Sequence, residues 1–256
     1  MHPIFLRLGP IEIRYYGLMY VIAFVLGYFL VRAEARRRGI LPRSEDVLDL
    51  FLVVIPLAIV FARLYYVAFE WEYYRTSPWE IVMVWHGGLA IHGGIIGGIG
   101  GLFLVARWKR APFWRLADAV ACALILGQVL GRIGNFLNGD AFGTPTDLPW
   151  GIVFPLSSPA GAAYPGLPLH PTMLYEAVGN FFVFLLLWKL RTRPTRAGFL
   201  SSVYFISYGA VRFACEFFRG DALMVGPWRA AQVVSVALVA GFGTWLLVGR
   251  LWRPAA

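Results

Sequence analysis

Apolar residues fill this chain in long runs that are separated by short clusters of basic and polar residues. The seven runs lie at about 11–31, 47–69, 84–106, 116–137, 172–190, 198–218 and 230–248. Most of them approach the ~20 residues with which an α-helix crosses a hydrocarbon core of about 30 Å. The pattern predicts a bundle of seven transmembrane helices in a single polytopic membrane domain over residues 1–256.

The composition indicates the same class of protein. Of the 256 residues, 59% are hydrophobic and 14% are charged, and the mean hydropathy is +0.66. A chain of this kind is too apolar for a soluble globule, so we expect an all-α integral membrane protein. The formal charge of +9 does not indicate nucleic acid as a partner, because the basic residues lie between apolar runs and form no basic stripe interleaved with aromatic residues.

The distribution of basic residues predicts the orientation. Arginines and lysines are concentrated after the first, third, fifth and seventh runs and are sparse in the other connections. By the positive-inside rule, the N-terminus is outside and the C-terminus is cytoplasmic. The long connection at about 138–171, rich in proline and glycine, is then extracytoplasmic. It either lies along the membrane interface or forms a structured cap, and both alternatives remain open.

A cluster of polar residues ends the fourth run, where ordinary membrane helices have none. Arg132, Asn135 and Asn138 are followed by Asp140. An ionisable side chain at membrane depth costs roughly 2.5–3.5 kcal/mol on insertion scales. We therefore expect Arg132 to have a charged partner or a ligand.

Other runs deliver polar groups to the same outer layer. Tyr208, Arg212 and Glu216 are spaced four residues apart, so Glu216 can pair with Arg212. That arginine either serves only in this ion pair or also offers donors to a phosphate group, and the two roles are compatible. Tyr16 in the first run and Glu176 at the start of the fifth are expected at the same level.

The third run contributes histidines and glycines. We expect His86 at its outer mouth and His92 about two turns deeper, as the buried one of the two. Glycines recur every four residues from Gly93 to Gly101, and Gly127 and Gly131 repeat the spacing in the fourth run. Small residues at this spacing let helices approach closely in lipid, which predicts that the third and fourth helices pack together.

Five motifs together resemble those of the bacterial prolipoprotein diacylglyceryl transferases. In chain order they are YGLM at 16–19, IHGGIIG at 91–97, GRIGNFLNGD at 131–140, HPTMLYE at 170–176, and YGAVRF at 208–213 with EFFR at 216–219. The resemblance extends over nearly the whole chain. It implies an enzyme of the bacterial cytoplasmic (inner) membrane that carries out the first step of lipoprotein maturation.

The resemblance also implies the reaction. An sn-1,2-diacylglyceryl group moves from phosphatidylglycerol to the lipobox cysteine of a preprolipoprotein signal peptide, forming a thioether and releasing glycerol-1-phosphate. The implied catalytic residues are His92, Arg132 and Arg212. The residues implied to bind the substrates are Tyr16, Asn135, Asp140, Gly143, Tyr208 and Glu216. Asp140 stands where the family has glutamate, so its acid is shorter by one methylene.

The chemistry of the reaction fits these residue types. A thiolate is the nucleophile, and a free thiol has a pKa of about 8.5, so a base must take its proton. Histidine suits that role, and arginine matches phosphate oxygens bidentately. No set of His, Cys, Asp and Glu has the spacing of metal ligands. We expect no metal and no cofactor.

Two other classes of function are weighed against the transferase. An anion or lipid transporter would use the arginines as a permeation site, but it predicts internal repeats and broken helices, which the sequence lacks. An intramembrane hydrolase similar to rhomboid proteases needs a serine in a Gly-x-Ser setting opposite a histidine. Ser201, Ser202, Ser207 and Ser235 lack that setting.

Overall fold

A computed structural model describes residues 4–8 and 11–254 of the chain. The chain divides into two compact units. One unit contains the residues up to Leu30 and from Val120 onwards, and the other is Val31–Ala119.

The described residues are mostly helical. The long helices are α1 Tyr15–Arg37, α2 Ser44–Phe69, α4 Ile91–Trp108, α5 Phe113–Asn138, α7 Thr172–Leu190, α8 Phe199–Glu216 and α9 Ala230–Val248. Short helices occur in the connections, namely α3 Trp71–Tyr74, α6 Pro159–Ala163 and the 3-10 turns Pro78–Val82 and Val84–His86. Three antiparallel pairs complete the fold, namely β1 Ile4–Leu8 with β2 Ile11–Arg14, β3 Ile152–Val153 with β4 Pro168–Leu169, and β5 Met224–Val225 with β6 Trp228–Arg229.

Among the described residues, six helices are long and apolar enough to cross a membrane: α1, α2, α4, α5, α7 and α9. The prediction of a helical, multi-pass membrane protein is therefore confirmed. Each of the seven predicted runs contains a long helix, but α8 is not among the six. Its polar side chains, which include Ser202, Tyr208 and Arg212, make it less apolar than the others.

The glycine stripe of α4 packs on α2 within the Val31–Ala119 unit. A Cβ atom at Gly93 or Gly97 would overlap the backbone of Phe61 or Leu57, and one at Gly101 would lie 2.9 Å from the Cα of Val54. The prediction of close packing is confirmed, but the predicted partner, the fourth helix, is wrong. Spacing shows that a helix has a flat face, and it does not show which neighbour fills that face.

Arg63 on α2 organises the connection between α2 and α4. Its guanidinium is buried and donates to the carbonyl oxygens of Ile81 at 2.9 Å and Gly87 at 2.7 Å. Further contacts reach the carbonyls of Gly88 and Glu80. This arginine therefore satisfies backbone acceptors of an irregular segment, which would be costly to bury without donors.

In the other unit, α7 and α8 run antiparallel around a shared apolar core. Val183 and Leu187 of α7 cluster with Leu200 and Tyr204 of α8 and with Ile125 of α5. The connection between α5 and α7 has a smaller core of its own, in which Phe142, Phe154, Leu169 and Met173 are buried. Of the two alternatives for residues 138–171, the structure supports the structured cap.

Candidate active site

Two arginines and two glutamates form a chain of ion pairs that joins α5, α7 and α8. Arg132 Nη2 lies 2.7 Å from Glu176 Oε1, and Arg212 Nη1 lies 3.5 Å from Glu176 Oε2. The second nitrogen of Arg212, Nη2, lies 2.8 Å from Glu216 Oε2. The expected pair of Arg212 with Glu216 is confirmed. Arg132 was expected to have a charged partner or a ligand, and the structure shows that Glu176 is a charged partner.

The arginines and the carboxylates differ in exposure. The side chains of Glu176 and Glu216 are each 1% exposed, whereas those of Arg132 and Arg212 are 21% and 16% exposed. The carboxylates therefore hold the guanidinium groups from the buried side. Because each guanidinium carries five N–H donors, both arginines retain donors beyond those that meet the carboxylates.

Short-range sequence spacing positions these side chains. Arg212 and Glu216 are i, i+4 neighbours on α8, so their side chains meet on one face of that helix. Glu176 lies on the fifth residue of α7, whose N-terminal residue is Thr172. It lies one turn into the helix, on the face that meets Arg132 of α5 and Arg212 of α8.

The end of α5 holds a second polar group beside Arg132. Asn135 Nδ2 donates to Asp140 Oδ1 at 2.6 Å, and Asn138 Nδ2 donates to Asp140 Oδ2 at 2.9 Å. Arg132 Nη1 reaches Asn135 Oδ1 at 3.4 Å. The Asp140 carboxylate therefore accepts from both asparagines and fixes their amides.

Gly143 lies where three backbone segments cross. Its N–H donates to the carbonyl of His170 at 3.0 Å, and the residue also forms a bridge with Arg219. A Cβ atom at this position would lie 2.5 Å from the His170 carbonyl and 2.8 Å from that of Phe218. Any side chain here would separate the cap from the start of α7 and the end of α8.

The two tyrosines lie next to the same polar groups. Tyr208 interacts with the Arg132 guanidinium, and its ring stacks on that of Tyr204 at 5.9 Å. The ring of Tyr16 lies against Gly134 of α5, and the Tyr16 hydroxyl is 2.8 Å from that of Tyr20. Gly134, one residue before Asn135, thus leaves space for an aromatic ring beside the polar end of α5.

Arg219 adds a third guanidinium just beyond α8. Its Nε and Nη2 contact Asp221 at 2.7 and 2.9 Å. Burial lowers the pKa of this arginine, which the carboxylate of Asp221 opposes. The residue remains a cation because arginine does not lose its proton in proteins.

His92 belongs to the Val31–Ala119 unit. It lies in the first turn of α4, with its ring 5.8 Å from that of Tyr65. The expectation that His92 is two turns deep and buried is wrong, because both His86 and His92 are exposed. Gly87 and Gly88 adopt positive φ angles of 89° and 70°, which a right-handed helix does not contain, so α4 begins only after Gly88, at Ile91.

Comparison with known proteins agrees with the motifs. Residues 3–248 match the family model described as prolipoprotein diacylglyceryl transferase. A phosphatidylglycerol–prolipoprotein diacylglyceryl transferase of Synechococcus elongatus is 45% identical, with 98% of this chain and 86% of the relative covered. Relatives with the same name in Thermosynechococcus vestitus and Bacillus cereus are 46% and 43% identical, covering 94% and 91% of this chain and 89% and 86% of their own. The chain belongs to this family.

The prolipoprotein diacylglyceryl transferases are enzymes. In this member of the family, the sequence did not predict which carboxylate links the two arginines. Glu176 contacts both arginines, although it was expected only at the same level of the membrane. The signal was available, since an acid within an apolar run needs a cationic partner. In the described part of the chain, no three His, Cys, Asp or Glu side chains lie together as a metal site would require.

Proposed function

We propose that this chain transfers the sn-1,2-diacylglyceryl group of phosphatidylglycerol to the lipobox cysteine of preprolipoproteins. The products are a thioether-linked lipoprotein precursor and glycerol-1-phosphate, and the reaction is the first step of lipoprotein maturation. The observation that carries the proposal is the pair of partly exposed arginines, Arg132 and Arg212, held from behind by the buried carboxylates of Glu176 and Glu216.

The reaction requires a site that stabilises a leaving phosphate. The thiolate sulfur forms a bond to C3 of the lipid glycerol while the bond from C3 to the phosphate oxygen breaks. The leaving oxygen takes the electron pair of that bond. Positively charged, preorganised donors stabilise such developing charge without reorganising during the reaction. Arg132 and Arg212 are suited to this role because their remaining donors can bind phosphate oxygens.

His92 is the proposed general base. It accepts the proton of the lipobox thiol, since a neutral imidazole is a competent proton acceptor near neutral pH. The position of His92 in the first turn of α4, with an exposed ring, supports the proposal because a base must be accessible to the peptide substrate.

The remaining residues are proposed to orient the lipid headgroup. Asn135 and Asp140 form one hydrogen-bonded pair beside Arg132, and Tyr208 and Tyr16 line the same region. Glu216 orients Arg212. Gly143 contributes by allowing the backbone crossing that fixes the cap, and in this proposal it borders the substrate.

The proposed topology has seven spans in one membrane domain. With 18 residues, α8 reaches about 27 Å, close to the thickness of the hydrocarbon core, and its charged face turns toward other helices. The basic connections then lie in the cytoplasm, the N-terminus and the 138–171 cap lie outside, and the arginine layer faces the outer leaflet of the bacterial inner membrane. Phosphatidylglycerol and other membrane lipids surround the protein.

Mass spectrometry of a lipobox peptide tests the proposal. The purified protein is incubated with phosphatidylglycerol and the peptide, and a parallel reaction uses the same peptide with serine in place of the cysteine. We expect a diacylglyceryl adduct on the cysteine peptide alone, with equimolar release of glycerol phosphate. Peptide cleavage, or an absence of adduct under conditions in which the protein is folded, would contradict the proposal.

A further inference from the structure

A second polar layer lies one helical turn away from the ion pairs. Gln128 precedes Arg132 by four residues on α5, Tyr208 precedes Arg212 by four on α8, and Asn180 follows Glu176 by four on the antiparallel α7. Four residues of helix rise by about 6 Å. The three helices therefore place three uncharged polar side chains at one common level. This level is one turn from the ion pairs, in the direction of the N-terminal ends of α5 and α8.

Asn180 is the unusual member of this layer. Its side chain is completely buried, at 0% exposure, and neither its Nδ2 nor its Oδ1 atom has a hydrogen-bond partner among the described residues. In the same layer, Gln128 Nε2 donates to the Tyr204 hydroxyl at 2.9 Å, while Gln128 Oε1 is buried without a donor in the described part of the chain.

Such groups are costly to retain. A buried donor or acceptor without a partner is destabilising, whereas an apolar side chain of similar shape would be neutral or stabilising. Buried polar groups in proteins are commonly satisfied by an ordered water molecule, which makes about three hydrogen bonds. The Nδ2 atom of Asn180 is a donor, and Asn180 Oδ1 and Gln128 Oε1 are acceptors. None of the three has a hydrogen-bond partner among the described residues.

We propose that Asn180 is a positioning residue that binds a water molecule between its amide and the carboxylate of Glu176. Asn180 and Glu176 are i, i+4 neighbours on α7, so their side chains lie on the same face of the helix, close enough for one water molecule to bridge them. Asn180 Nδ2 donates to the water oxygen, and the water donates to a lone pair of Glu176 that the arginines do not use. The carboxylate is then held in the rotamer that aligns Arg132 with Arg212.

This inference rests on the proposed transferase function. Because Asn180 acts on the arginines through Glu176, its loss should affect the chemical step more than the binding of lipid. The variant Asn180→Leu removes both polar atoms. We expect kcat for diacylglyceryl transfer to fall about tenfold, as misalignment of a reacting group does, with KM for phosphatidylglycerol nearly unchanged and thermal stability equal to or above that of the wild type.

A conservative variant and a matched control separate positioning from packing. Asn180→Ser keeps a donor and an acceptor for water and should recover most of kcat. Ser202→Ala also removes a buried polar atom that has no partner among the described residues, but Ser202 lies about 15 Å along α8 from Arg212. It should leave kcat and KM at their wild-type values. If Asn180→Leu does not insert, Asn180→Ala replaces it with the same expected loss of kcat.

The outcomes distinguish failure of the inference from failure of the function. If the wild-type protein makes no adduct, the transferase proposal is wrong. If the wild type is active and Asn180→Leu matches it, or if the variant loses stability and activity together without recovery in Asn180→Ser, then Asn180 does not position the site. An experimental density map with direct protein contacts to both amide atoms would also overturn the proposal.

Discussion

Arg132 and Arg212 differ in the number of carboxylates that hold them. Among the described residues, Arg212 contacts the carboxylates of Glu176 and Glu216, whereas Arg132 contacts the carboxylate of Glu176 and reaches the Asn135 amide at a longer distance. Two arginines balance two glutamates, so the cluster is neutral before a substrate arrives. A phosphate group that binds the remaining donors therefore adds negative charge and competes with Glu176 for the guanidinium groups.

Arg132→Lys tests the need for a forked donor. An ammonium group keeps the charge but cannot contact Glu176 and a phosphate with paired N–H groups. We expect normal insertion and a loss of transfer of roughly a hundredfold, the scale of removing one preorganised donor, measured by lipidation of a reporter prolipoprotein. Arg75→Lys, at an exposed pair with Glu72, is the matched control and should be fully active. Near-normal lipidation by Arg132→Lys would refute the role.

Glu176→Gln removes the charge between the two arginines. The two arginines then lack the carboxylate that lies between them, and an ion that loses its partner is destabilising, so we expect lower thermal stability together with a lower kcat. Because the carboxylate no longer competes with phosphate, KM for phosphatidylglycerol should not rise. Glu72→Gln, whose carboxylate is exposed, is the control and should change neither quantity. A Glu176→Gln enzyme with wild-type kcat and stability would show that the ion pairs are dispensable.

His92→Gln tests the general base. Loss of a positioned base reduces rates by roughly 10²–10⁴-fold, so we expect that range for transfer at saturating lipid and peptide. His86→Gln is the matched control, since His86 pairs with Glu80 at 2.9 Å and has no proposed role. A preserved rate in His92→Gln would show that another group accepts the thiol proton.

At the scale of residues, the sequence predicted local pairs better than distant ones. The pair of Arg212 with Glu216 follows from spacing on one helix and is confirmed. The need of Arg132 for a charged partner follows from the cost of a charge at membrane depth. The identity of that partner does not, because sequence gives the level of Glu176 in the membrane but not the direction in which α7 turns it.

At the scale of elements, glycines determine where helices begin and how closely they pack. Gly87 and Gly88 delay the start of α4 to Ile91, which places His92 in the first turn. Hydropathy could not show this start, because the apolar run continues through the turn. The stripe from Gly93 to Gly101 was recognised from its spacing, but its contact with α2 depends on the arrangement of helices, which spacing does not encode.

Two substitutions on α4 test this packing. At Gly97 a Cβ atom would overlap the Leu57 backbone, whereas at Gly98 it would meet nothing within 4 Å. Gly97→Ala should lower the free energy of unfolding by about 1–3 kcal/mol, the usual cost of overpacking. Gly98→Ala should be neutral or stabilising by up to about 1 kcal/mol, because alanine favours the helix. Equal thermal melting of the two variants would contradict the close contact of α4 with α2.

At the scale of the whole molecule, hydrophobic length and charge carry most of the predictable information. The six apolar helices of the described chain follow from the need to satisfy the backbone within lipid. The α8 helix differs because it carries a charged stripe that includes Arg212 and Glu216, and Arg212 contacts Glu176 of α7. The residues that reduce its apolar character are those that build the ion pairs.

The role of the two arginines as a phosphate site is tested most directly by an experimental structure of the protein in nanodiscs with phosphatidylglycerol bound. We expect lipid phosphate density within about 3 Å of the guanidinium nitrogens of both Arg132 and Arg212, with Glu176 and Glu216 still on their buried side. A phosphate bound elsewhere, with both arginines engaged only by the glutamates, would show that Arg132 and Arg212 do not form the phosphate site.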